Sequence, residues 1–133
     1  WGHNIMMTPT PPNFMREDVR RYCFTLQVRP DKVTAYAKHH EAVWPQMLAA
    51  LRDAGWHNYS IFLRPDGLLI GYVESDDLAA AQYAMSETEV NARWQATTKP
   101  FFEGLNGNPD EGLKLVPMVF NLEDQLRASG QSL

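Results

Sequence analysis

Disulfide chemistry is closed to this sequence: its 133 residues include one cysteine, Cys23, which has no partner within the chain. A lone cysteine fits a reducing compartment, so a cytoplasmic location is expected. With no activating partner in view, Cys23 reads as a small hydrophobe and not as a nucleophile. Long apolar runs are missing too. None approaches the roughly 18 residues that a membrane span requires, so no membrane partner is expected. Positive charge is short: 12 Lys and Arg stand against 16 Asp and Glu, with no basic stripe, which argues against nucleic acid as a partner. The glycine signatures GxGxxG and GxxxxGKS/T do not occur, so neither a dinucleotide nor a nucleoside triphosphate is expected. Neither HExxH nor CxxC is present. His39, His40, Glu41 and His57 are the only ligand set worth weighing, and adjacent histidines diverge on a helix, so no metal is expected. Residues 1–7 lack the basic end and long apolar stretch of a signal peptide. The native start is expected at Met6 or Met7.

What remains is the composition of one globular domain, at 44% apolar and 21% charged residues, too apolar for disorder. Residues 1–19 contain three prolines between 8 and 13 and no periodic pattern, and are read as an extended lead-in. Residues 20–123 form the expected domain, and 124–133 a polar, frayed tail. Tyr22, Phe24, Leu26 and Val28 alternate with Arg21, Cys23, Thr25 and Gln27, the period of a strand with one buried face. Pro30 and Asp31 stop it and open a helical stretch over 32–54, with Asp31 as a cap and a break at Pro45. Gly55 ends that stretch. A second strand is expected over 58–63 with Tyr59, Ile61 and Leu63 on one face. The turn Arg64-Pro65-Asp66-Gly67 makes a hairpin with a third strand over 68–74. Ser75 and Asp76 offer caps to a second helical region over 77–103, interrupted near Ser86. A loop over 106–110 and a fourth strand over 113–121, placed at an edge or bulge by Pro117, complete the order.

The order βαββαβ is that of an α+β ferredoxin-like sandwich, a sheet with helices on one side only. Its second face needs cover, and a second copy of the chain is the economical solution. A homodimer with facing sheets, the dimeric α/β-barrel type, is therefore expected.

Four side chains within nine residues could carry chemistry: Tyr36, His39, His40 and Trp44. On a helix, Tyr36 and His40 share a face, while His39 lies about 100° away and points elsewhere. An imidazole one turn from a phenol can move protons near neutral pH. The plain alternative is a pair of core aromatics with a structural histidine. Tyr59 on the second strand and Trp94-Gln95 in the second helical region suit a sugar. Aromatic rings pack on the C–H face of a pyranose, and amides and phenols bond its hydroxyls.

Taken in order, the strand over 21–28, Tyr36-x-x-x-His40, Val43-Trp44-Pro45, Asn58-Tyr59-Ser60-Ile61 and Arg93-Trp94 resemble the L-rhamnose mutarotase family. The resemblance implies a homodimeric ferredoxin-like fold with no metal and no organic cofactor. It further implies a monosaccharide substrate, L-rhamnose or a related 6-deoxyhexose, with His40 as the catalytic proton donor. Tyr36, Tyr59, Trp94 and Gln95 would contact the sugar. Many bacterial members have a second tryptophan where this chain has Gln95, which offers no ring face. On this reading His40 starts charged and protonates the ring oxygen, and the base is a water or a backbone carbonyl. Tyr36 orients His40 or the sugar, since a phenol of pKa near ~10 is a poor base at neutral pH. Two other readings keep the fold: a cofactor-free oxygenase or haem-handling enzyme with a larger apolar pocket, and a sugar-binding module without catalysis.

Overall fold

The computed structural model describes residues 20–105 and 107–133. The lead-in and the start at Met6 or Met7 lie outside them. Strands β1 (Arg20–Gln27), β2 (His57–Leu63), β3 (Leu68–Ser75) and β4 (Lys114–Val116) form one sheet. Their spatial order is β2-β3-β1-β4, and every pairing is antiparallel. With the first and third strands central, this is the ferredoxin-like arrangement. Phe24 faces Gly71 across the β1–β3 pair. A Cβ on Gly71 would stand 2.2 Å from the Phe24 ring, so glycine is what lets that ring lie against the sheet. Gly67, at φ +94°, closes the hairpin between β2 and β3, with Gly67 N–H donating to the Arg64 carbonyl at 2.9 Å.

The first helical stretch is more broken than its sequence suggests. A 3₁₀ turn over Pro30–Lys32 precedes α1 (Val33–His39), and a second over His40–Ala42 separates it from α2 (Pro45–Ala54). Arg29, not Asp31, stands at the cap position, with no side-chain bond. Trp44 is extended, at φ −54° and ψ 133°, because the residue before proline avoids helical geometry. Gly55, in the left-handed region at φ +101°, ends α2.

The second region divides as expected into α3 (Leu78–Ser86) and α4 (Glu89–Thr98). The cap of α3 is Asp77, whose side chain accepts from Ala80 N–H, one residue later than the sequence reading placed it. Thr88 caps α4 in the same way. Helices α2, α3 and α4 pack together over one sheet face, around a core that includes Phe24, Val28, Trp56, Leu69, Val73 and Met85.

The C-terminal part departs further. The fourth strand spans three residues, not the nine expected over 113–121, and it lies at the sheet edge. Pro117, with no N–H to give, follows directly on its end. Beyond Glu123 the chain is not frayed. Helix α5 (Leu122–Ala128) is capped by Asn121, with Glu123 and Asp124 in its first turn and Arg127 in its last, an arrangement that complements the helix dipole.

Candidate active site

One cavity of about 460 Å³ opens between the sheet and the helices, and it is lined by Tyr36, His40, Tyr59, Trp94 and Gln95. The five residues to which the family resemblance gives roles therefore meet in one place, whereas His39 and Trp44, also singled out from the sequence, do not line it. Tyr36 comes from the middle of α1. His40 comes from the 3₁₀ turn that ends it, where the helix unwinds before Pro45. Tyr59 lies within the register irregularity of β2 between His57 and Ser60, where Asn58 takes a positive φ of 47°, a conformation asparagine tolerates better than most residues. Trp94 and Gln95 sit on the buried side of α4.

The aromatic groups hold one another in place. The Tyr36 and His40 rings stack at 4.1 Å with 25° between their planes. Phe102 meets Tyr36 edge-on at 5.5 Å. Trp94 receives His40 at 5.5 Å and Trp44 at 5.0 Å, both nearly perpendicular. His39 does turn away from the cavity, but it does not leave the cluster: it lies flat on Trp94 at 4.4 Å. One indole face is thereby covered, and the ring is fixed for whatever its remaining surface meets. Tyr59 packs between Trp56 at 4.9 Å and Phe24 at 6.1 Å.

His40 Nδ1 lies 3.0 Å from the Tyr36 carbonyl oxygen. A carbonyl can only accept, so Nδ1 carries a hydrogen and donates it. In the neutral ring, Nε2 is then the nitrogen with a lone pair. Burial holds the imidazole below its ordinary pKa of 6.5; the Tyr36 carbonyl pulls it partly back, and His39 adds to the lowering. The expectation that His40 starts charged is thus corrected: its surroundings favour the neutral ring at neutral pH, with Nε2 as an acceptor.

Burial of its hydroxyl, and next Tyr59, drive the Tyr36 phenol far above its ordinary range. Burial and then the Asp110 carboxylate do the same to Tyr59. Neither phenol ionises at neutral pH, and both are hydrogen-bonding groups only. Among the described residues neither hydroxyl has a hydrogen-bond partner. Buried hydroxyls are rarely left so, and these two line the same cavity as the imidazole.

The sequence profile of L-rhamnose mutarotase matches residues 21–122. The chain belongs to the L-rhamnose mutarotase family. That membership brings the reaction class of a carbohydrate isomerase, the interconversion of sugar anomers. The chain is 41% identical over 83 residues to the L-rhamnose mutarotase of Oceanobacillus iheyensis, covering 62% of this chain and 79% of that one. With the L-rhamnose mutarotase of Tolumonas auensis it shares 30% identity over 101 residues, 75% of this chain and 96% of that one. The fold is also that of the crystal structure of an L-rhamnose mutarotase from Formosa agariphila. That match has a TM-score of 0.64 at 21% identity and covers 77% of this chain and 98% of that one. The oxygenase or haem reading of the same fold is not favoured beside a family match of this extent.

Within this cavity, Gln95 does less than its sequence position suggests. It lines the cavity, yet its amide is already engaged. Nε2 donates to Asn91 Oδ1 at 3.1 Å, and Oε1 accepts from Asp110 N–H at 3.2 Å. Asn91 Nδ2 in turn donates to Asp110 Oδ2 at 2.9 Å. Asn91 and Gln95 are 4% and 7% exposed, so this closed ring of bonds satisfies two amides that burial would otherwise penalise. Asn91 and Asp110 both line the cavity, and sequence reasoning missed both. A signal existed: amides four residues apart flank Trp94 on the inward side of a helix, and such a pair requires partners.

Proposed function

We propose that this chain interconverts the anomers of L-rhamnose, or of a closely related 6-deoxyhexose, and that His40 moves the proton. The observation that carries the reading is the convergence, on one aromatic-walled cavity, of an imidazole anchored at Nδ1 and two phenol hydroxyls that have no hydrogen-bond partner among the described residues. Its size falls in the range of small-molecule clefts, roughly 300–1,000 Å³. Tyr36 and Tyr59 bond the sugar's hydroxyls, and Trp94 packs on its C–H face.

Ring opening breaks the C1–O5 bond, takes a proton from the anomeric hydroxyl and gives one to the ring oxygen. His40 Nε2 accepts the anomeric proton as C1–O5 breaks and C1 becomes an aldehyde. The imidazolium so formed returns a proton to O5. Rotation about C1–C2 and the reverse transfer close the other anomer. His40 thus remains the donor to the ring oxygen, reached from a neutral start. Proton transfer and bond rotation are the whole of this chemistry, and it calls for neither metal nor organic cofactor. A positioned acid–base group contributes about 10²–10⁴-fold, which suffices for sugars that already mutarotate unaided.

The working form is a homodimer in the cytoplasm. Phe62 on the sheet and Met118, Val119 and Phe120 beyond β4 are more than half exposed in the single chain, an apolar surface that a second copy would cover. Among the described residues no helix is long and apolar enough to cross a membrane.

NMR saturation transfer between anomer signals tests the assignment across a panel of aldohexoses and deoxyhexoses. Enhanced exchange is expected for L-rhamnose or a near relative. No enhancement with any sugar would remove the reading.

A further inference from the structure

Asp110 stands out because it is the one carboxylate among the described residues lining the cavity, and because it is held from several sides. Its Oδ2 accepts from Asn91 Nδ2 at 2.9 Å, and its backbone N–H donates to Gln95 Oε1 at 3.2 Å. Its carbonyl accepts from Gln82 Nε2 at 3.3 Å. The loop after α4 is thereby tied back onto that helix and onto α3, with a carboxylate presented to the same space as His40.

We propose that Asp110 is a substrate-binding residue whose carboxylate accepts hydrogen bonds from the hydroxyls of the sugar. The inference rests on the mutarotase reading and names a group it does not use. A pyranose carries several O–H donors, and beyond His40 Nε2, which is engaged in proton transfer, and two neutral phenol oxygens the cavity's side-chain acceptors are few. Both Gln95 amide atoms are spent on protein partners, and the Asn91 oxygen receives Gln95. Thr98 Oγ1 donates to the Gln95 carbonyl, and both phenols remain neutral. An ionised carboxylate is the strongest acceptor a protein offers a hydroxyl. Gln95 then acts through Asp110 as a positioning residue, holding the loop at the register that brings the carboxylate to the sugar.

The experiment measures anomer exchange by saturation transfer over a range of sugar concentrations, for wild type, Asp110→Asn and Gln95→Met. Loss of a charge-assisted hydrogen bond should raise KM in Asp110→Asn by roughly ten- to a hundred-fold with kcat nearly unchanged. Gln95→Met should raise KM by a smaller factor in the same direction, again at nearly constant kcat. An unchanged KM in Asp110→Asn overturns the proposal, and so does a fall in kcat at constant KM, which would make Asp110 a proton-transfer group. If Asp110→Asn does not fold, a set of single-deoxy sugars on wild type takes its place. At least one deletion should then raise KM about ten-fold, and a set with no effect overturns the proposal. Absence of exchange in wild type is a different result: it removes the mutarotase reading, whereas an active wild type with an indifferent Asp110→Asn removes only this one.

Discussion

Tyr36 fixes His40 twice, once through its ring, stacked at 4.1 Å, and once through its carbonyl, 3.0 Å from Nδ1. The stack sets the plane of the imidazole. The carbonyl sets its tautomer and leaves Nε2 as the nitrogen for substrate. Both contacts follow from one helical turn between the two residues, and the second belongs to the backbone, so a side-chain change at position 36 can separate them.

Tyr36→Phe makes that separation. The stack and the carbonyl bond survive, while a buried hydroxyl with no partner among the described residues is removed. Thermal stability should be unchanged or slightly higher, because no protein hydrogen bond is lost. The KM for the sugar should rise roughly ten-fold if the hydroxyl bonds substrate. A melting curve beside saturation-transfer kinetics checks both; a KM equal to wild type would show that the hydroxyl does not touch sugar.

Acidification should silence the enzyme from below the ordinary histidine range. His40 has a pKa lowered from 6.5 by burial, and the active ring is the neutral one. Exchange should therefore be level above neutral pH and fall as pH drops through the lowered value. The stability sign is the same. In the unfolded chain the ring takes up a proton near 6.5, earlier than in the folded one, so this contribution is present above that pH and is lost on acidification. A pH–rate profile repeated on Asp110→Asn separates the imidazole from the carboxylate. A rate that rises as pH falls would mean that the resting ring is charged.

Much of this was legible in the sequence, and the gaps have physical reasons. Period-two alternation marked β1 and β2, and the turn signal at 64–67 placed β3 beside β2. The Tyr36–His40 spacing was enough to predict a shared face. The fourth strand was overread because its apolar residues past Pro117 look like a buried strand but are exposed in the single chain. Asn121 was read as the end of the fourth strand and 124–133 as tail, because a short capped helix has no apolar period of its own. Asp110 was invisible for another reason: its bond to Asn91 spans 19 residues, and no local pattern records a contact of that range. The charge state of His40 depends on burial, which spacing alone does not give.

The exposed apolar run after β4 gives an oligomeric prediction. Val119 is 95% and Phe120 60% exposed, so the wild type should be a dimer by light scattering. Replacing both, Val119→Asp with Phe120→Glu, should shift it to monomer while circular dichroism stays native. A wild type that is monomeric at micromolar concentration would leave this surface for another use.

Saturation transfer on His40→Ala bears most directly on the central claim, that an imidazole anchored at Nδ1 carries the proton between O1 and O5. The variant should lose about 10²–10⁴-fold in anomer exchange while its helices and sheet remain intact by circular dichroism. Exchange within a few-fold of wild type in a folded variant would contradict the account.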